Sequence, residues 1–108
     1  MPDSIALIVD DEQDIRNLLS MALTRIGLQV KTANSLQEAK TILANEHFDL
    51  CLTDMRLPDG SGISLIEHVA ANYGAMPIAM ITAYGDVQSA VSALKAGAYD
   101  FVSKPIDL

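Results

Sequence analysis

The chain has 108 residues, half of them apolar, enough for one compact domain with a buried core and too few for two. Its 14 acidic against 7 basic residues give a formal net charge of -7, so the surface field repels nucleic-acid backbones and attracts cations, and direct DNA binding by this domain is not expected. The single cysteine, Cys51, excludes an internal disulfide and fits a reducing compartment. No apolar run approaches the ~20 residues that cross a bilayer, and the N-terminus carries acid where a signal peptide carries base, which predicts a cytoplasmic domain without membrane contact.

Ile5 to Val9 is an unbroken apolar run ending in Asp10 and Asp11, the pattern of a parallel strand covered on both faces. Ile15, Leu18, Leu19, Ala22, Leu23 and Ile26 follow at spacings of three and four, one stripe of an amphipathic helix that Gly27 ends. Leu28 to Ala33 reads as a second strand. Ser35 with Glu38 three residues on has capping-box spacing and opens a second helix turning Leu36, Ala39, Ile42 and Leu43 inward. A third strand, Asp49 to Thr53, delivers Asp54 to a Pro/Asp/Gly/Ser turn, after which Ile63, Ile66, Val69 and Ala70 mark a third helix that fades before Tyr73 and Gly74. Pro77 starts the fourth strand, Ile78 to Ile81, which ends in Thr82. A fourth helix carries Val87, Ala90, Val91 and Leu94 on an Ala-rich inner face, and Gly97 stops it. At ~0.8 kcal/mol per buried CH₂ alanines hold a helix less firmly than leucines, so this is the helix expected to move. Tyr99 to Ser103 is the fifth strand and runs into Lys104 and Pro105.

Strands and helices that alternate over short connections fold through right-handed crossovers into an open parallel sheet with helices on both faces. Ligands of such sheets bind beyond the carboxyl ends of the strands, and those ends carry Asp10, Asp11, Asp54, Thr82 and Lys104. Converging carboxylates repel, by ~4 kcal/mol for two charges 4 Å apart at an effective dielectric of ~20, and a bound cation removes that cost. Oxygen donors without histidine or thiolate select a hard ion, and Mg²⁺ suits a site of few protein ligands better than Ca²⁺. A hard cation, a carboxylate, a hydroxyl and an ammonium are the parts that phosphoryl transfer needs. Asp54 stands alone on its strand and is the candidate nucleophile. Asp10 and Asp11 are the candidate metal ligands, with Lys104 and Thr82 meeting the phosphoryl group.

At these residues the chain resembles a response-regulator receiver domain. The wording ALIVDDE, LTDMRLPDGSG, MITAYGD and LKAGAYDFVSKP is most similar to receivers of the NtrC class, and the match covers the whole chain. The resemblance implies a flavodoxin-like (CheY-like) five-stranded parallel sheet of order 2-1-3-4-5, with residues 1–108 a receiver domain truncated before its fifth helix. It implies Mg²⁺ held by Asp10, Asp11, Asp54 and the backbone carbonyl of Met55, phosphorylation of Asp54 by a sensor histidine kinase, and a switch made of Thr82 and Phe101. A usually cis Lys104–Pro105 bond, and Arg56 and Tyr84 as residues that tune loss of the phosphoryl group, belong to the same pattern. Phe101 stands where many receivers have tyrosine, so the switch here rests on packing without a phenolic hydrogen bond. With no fifth helix to cover one flank of the sheet, a homodimer through the fourth helix, the fifth strand and that flank is expected. The resemblance implies a parent protein with an ATPase domain acting at sigma-54 promoters and a DNA-binding domain. Beyond self-phosphorylation and autodephosphorylation, no enzyme activity is expected.

Singly, each of these residues has a plainer explanation. Asp10 and Asp11 suit a helix cap, Asp54 a turn, Thr82 a strand, Lys104 a solvated strand end and Phe101 a core. Their joint placement at strand ends is what plain packing does not explain. His47 and His68 lie away from those ends and read as surface residues, and Cys51 as buried filler. A small-molecule phosphatase using the same aspartate would want a second acid two residues on, where Arg56 stands. A phosphorylation-independent interaction module is the remaining alternative.

Overall fold

The computed structural model describes residues 4–83 and 86–104; Tyr84 and Pro105, named above, lie outside them. Among the described residues the chain runs β1 (Ile5–Val9), α1 (Gln13–Arg25), β2 (Gln29–Ala33), α2 (Leu36–Asn45), β3 (Leu50–Asp54), β4 (Arg56–Leu57), β5 (Gly60–Ser61), α3 (Gly62–Asn72), β6 (Ile78–Thr82), α4 (Val87–Ala96) and β7 (Asp100–Ser103). The main sheet is five-stranded in the order β2-β1-β3-β6-β7 and parallel at every pairing. It is the expected flavodoxin-like topology. β4 and β5 form a small antiparallel hairpin inside what the sequence marks only as a turn.

Period-two alternation sorts the strand residues onto two faces. Leu7, Val9, Cys51, Ile78 and Met80 join Ala39 and Leu43 of α2, Leu65, Ile66 and Val69 of α3 and Ala93 of α4 in one core. Ile8, Leu52, Ala79 and Ile81 face the other way, against Leu19, Ile15 and Leu23 of α1. Val102 pairs with Ile81 across the β6–β7 register, so it lies on the α1 face, where it is exposed.

Several sequence expectations shift. Ile26 is not part of the α1 stripe: the helix ends at Arg25, Gly27 takes a left-handed φ of 100°, and Ile26 between them is 73% exposed. In α3 the buried positions include Leu65 in place of Ala70, which is exposed. In α4 the inner face consists of Ala90 and Ala93, while Val87, Val91 and Leu94 point outward and are exposed. Asp54 stands at its strand end as expected, but β3 runs from Leu50 to Asp54, one residue later at both ends than the sequence reads. His47 is exposed as expected, but His68 is half-buried and tilts against Tyr73 at 5.9 Å between ring centres.

Caps fix the helix starts. The Ser35 side chain accepts from the Glu38 amide at 3.1 Å, as the capping box requires, and the Glu38 carboxylate accepts in turn from the Asn34 amide at 2.7 Å. Asp59 reaches back from the hairpin to accept from Leu36 N at 2.7 Å and Gln37 N at 2.9 Å. Its carboxyl is held below the usual range by those two amides. The turn after the third strand is thereby tied to the second helix.

Candidate functional site

Four adjacent strands, β1, β3, β6 and β7, end at one edge of the sheet, and their last or next residues supply Asp10, Asp54, Thr82 and Lys104. Because β1 is flanked by β2 and β3, chain connections leave it in opposite directions, and a crevice opens beyond its carboxyl end. A cleft of about 300 Å³ lies there, lined by Asp11, Glu12, Asp54, Met55, Arg56, Ala83, Asp86 and Lys104.

Asp10 is fully buried. Its Oδ1 accepts from the Glu12 amide at 2.9 Å, and its backbone carbonyl accepts from Arg16 Nη1 at 2.8 Å. Oδ2 is buried without a hydrogen-bond partner, with Lys104 Nζ at 3.7 Å. Burial pushes the Asp10 carboxyl up to about 6; the Asp54 charge adds to that, and the Glu12 amide and Lys104 oppose it. The carboxyl of Asp54, 8% exposed, is likewise raised by burial against the pull of Lys104 and the Met55 amide. Met55 N donates to Asp54 Oδ1 at 2.9 Å and to the Ile81 carbonyl at 3.3 Å. Lys104 lies 3.5 Å from Asp54 Oδ1 and 3.7 Å from Glu12 Oε1. Burial pulls its pKa down, but Asp10, Asp54 and Glu12 outweigh that and hold it above the usual lysine range.

One carboxylate oxygen each from Asp10, Asp11 and Asp54 lie within 4.8 Å of one another. A buried anionic oxygen that accepts no hydrogen bond costs free energy, and here it belongs to an all-oxygen set of the kind hard divalent cations take. These residues fit such an ion. The Met55 carbonyl accepts from Gly62 N at 2.8 Å, which leaves one lone pair for a further partner.

Asp10 and Asp11 do not cap α1: its N-cap is Glu12, with no side-chain cap bond. Thr82 is buried, and its hydroxyl meets the Val102 carbonyl only at 3.5 Å. Phe101, 39% exposed, lines a small hollow with Asp86, Val87, Ala90, Val91, Leu94 and Ser103. Burial pushes the Cys51 thiol up to about 12, so it is inert filler. A larger cavity of about 420 Å³, lined by Leu43, Phe48, Tyr73 and Met76 among others, lies away from every one of these groups.

Sequence reasoning missed two supports of the site. Arg16 holds the Asp10 carbonyl from one turn into α1, and nothing in the spacing marks it. Gly62 is required where α3 starts, because a Cβ there would collide with the Asp54 carbonyl oxygen; the DGSG wording was the available signal.

Residues 6–108 match the family model described as "Response regulator receiver domain". The chain is 56% identical over 103 residues to the response regulator protein PilR of Pseudomonas aeruginosa, covering 95% of this chain and 23% of that protein, so it spans less than a quarter of that relative's length. The beryllofluoride-activated NtrC4 receiver domain dimer matches with a TM-score of 0.89 at 36% identity, covering 99% of this chain and 87% of that one. A Burkholderia pseudomallei response regulator solved with a phosphorylated aspartic acid, calcium ion and citrate matches with a TM-score of 0.88 at 30% identity, covering 97% of this chain and 62% of that one.

Proposed function

The chain belongs to the family of response regulator receiver domains, and from that premise we propose that it is a phosphorylation-driven switch with Asp54 as phosphoacceptor. One observation carries the reading. The buried Oδ2 of Asp10, which accepts no hydrogen bond, belongs to a three-carboxylate cluster that also holds Asp54, itself 3.5 Å from the Lys104 ammonium.

In the proposed reaction an oxygen of the Asp54 carboxylate attacks the phosphorus of a phosphohistidine on a sensor histidine kinase. The P–O bond forms as the P–N bond breaks, and the imidazole leaves with that electron pair. Asp10, Asp11, Asp54 and the Met55 carbonyl would hold Mg²⁺, which when bound neutralises charge on the transferring oxygens. Lys104 supplies an ammonium to the phosphoryl group. The Thr82 hydroxyl, at 3.5 Å from its present acceptor, exchanges a weak bond for a charge-assisted one. Charge-assisted hydrogen bonds contribute ~1.5–3 kcal/mol each, and two of them approach the ~5.5 kcal/mol that takes a two-state switch from mostly off to mostly on. Phe101 then has room to turn inward from the hollow beside α4.

The same reading assigns the domain no turnover of outside substrates. It places the domain in the cytoplasm, in a parent protein that acts at sigma-54 promoters and binds DNA through other domains. Similarity to a receiver dimer and the exposed Val87, Val91, Leu94 and Phe101 support a homodimer through α4 and β7.

The test is intact mass after incubation with Mg²⁺ and acetyl phosphate. One phosphoryl adduct is expected on the natural chain, and none on Asp54→Asn or in the presence of chelator. No adduct on a folded sample would overturn the reading and leave a phosphorylation-independent interaction module.

A further inference from the structure

Two charges in the cleft have no part in the transfer step proposed above. Arg56 begins the hairpin that follows the phosphoacceptor, and Asp86 starts α4; both line the cleft that holds Asp54. Lys104 is already committed to Asp10, Glu12 and Asp54. Among the described residues Arg56 makes no ion pair within 4.0 Å and is exposed. Asp86 is the N-cap of α4, accepting from Ser89 N at 3.0 Å and from Ser89 Oγ at 2.6 Å. Its carboxyl is held below the usual range by those two bonds first and then by the Arg56 charge.

We propose that Arg56 is a positioning residue that carries the state of Asp54 to α4: at rest its guanidinium is attracted across the cleft by Asp86 without a direct contact, and a phosphoryl group on Asp54 draws it away. The proposal rests on the receiver reading above. An acyl phosphate carries up to about twice the charge of a carboxylate, so at equal distance it attracts the guanidinium up to about twice as strongly. Its oxygens also accept the paired donors of arginine. Asp86 keeps its bonds from Ser89, so the first turn of α4 stays capped. What is lost is a charge attraction across the cleft between the loop after Asp54 and the start of α4. That helix buries only Ala90 and Ala93, so a modest electrostatic change suffices to move it.

The test follows backbone amide shifts of residues 87–96 by NMR, with and without Mg²⁺ and acetyl phosphate, alongside intact mass of the same samples. The chains compared are the natural one, Arg56→Gln, Arg56→Lys, Asp86→Asn and the Arg56→Gln/Asp86→Asn double variant. Asparagine caps a helix as well as aspartate does, so Asp86→Asn removes the charge and spares the start of α4. Per phosphorylated molecule, Arg56→Gln and Asp86→Asn are each expected to show less than half the natural α4 response. The double variant should fall no further than either single one, and Arg56→Lys should recover part of the loss. An undiminished response in Arg56→Gln, or additive losses in the double variant, would overturn the relay alone. So would failure of Arg56→Gln to take the adduct while the natural chain takes it, since Arg56 would then belong to the transfer chemistry. No adduct on the natural chain would overturn the receiver reading and the relay with it.

Discussion

The helices α3 and α4 are 11 and 10 residues long, pack against each other and are each the first helix after a main-sheet strand that ends in a site residue. They differ in where their carbon lies. α3 turns Leu65, Ile66 and Val69 into the core, where none is more than 1% exposed. α4 turns in Ala90 and Ala93 and leaves Val87, Val91 and Leu94 outside. Apolar content alone therefore does not say how tightly a helix is held. The side bearing the large residues does, since the stabilisation comes from area taken out of water. α3 is an anchor for the phosphoacceptor loop, with Gly62 pressed against the Asp54 backbone. α4 is a lightly held element with an apolar outer face available to change partners.

The sharpest way to break this contrast is to make the same truncation in both helices. Leu65→Ala should lower stability by ~2–5 kcal/mol, the range for a buried leucine, as measured by chemical denaturation. Leu94→Ala, the smallest effect expected, should stay within ~0.5 kcal/mol while weakening any dimer seen by sedimentation of the phosphorylated chain. Comparable losses from the two would erase the distinction.

An intermediate effect comes from the site between the helices. Asp10 ionises at about 6 in place of 3.8, so between those values the folded chain binds more protons than the unfolded one. Without cation, stability therefore falls as pH rises through that window, by ~1.4 kcal/mol for each unit of displacement. A cation that needs Asp10 ionised offsets the loss only above it. The rise in melting temperature produced by Mg²⁺ should be large at pH 7.5 and shrink below pH 6, and a rise unchanged at pH 5 would remove Asp10 from the ligand set.

Much of this was legible in the sequence, for reasons that can be named. Strand ends are written in local wording, so Asp10, Asp54, Thr82 and Lys104 could be placed on one edge once the strands were paired in parallel. The Ser35 cap and the Gly27 stop are local signals as well, and both appear in the structure. What was not legible depends on which way a residue faces. The spacing of Val87, Val91 and Leu94 fits a buried stripe as readily as an exposed one, and only packing against α3 shows that the alanines face inward. The same holds for Ile26, which has a periodic position but no helix left to carry it inward. Asp59 as a cap for α2 spans more than 20 residues of chain, and Arg16 bonds a carbonyl. Tertiary hydrogen bonds of this kind leave no mark on composition or period.

The measurement that bears most directly on the account is amide hydrogen exchange of α3 and α4, with Mg²⁺ alone and with Mg²⁺ and beryllofluoride. The account predicts that occupancy of Asp54 changes exchange in residues 87–96 by about tenfold or more, equivalent to ~1.4 kcal/mol, while residues 62–72 hold their protection. Equal changes in both helices, or a change confined to α3, would contradict it.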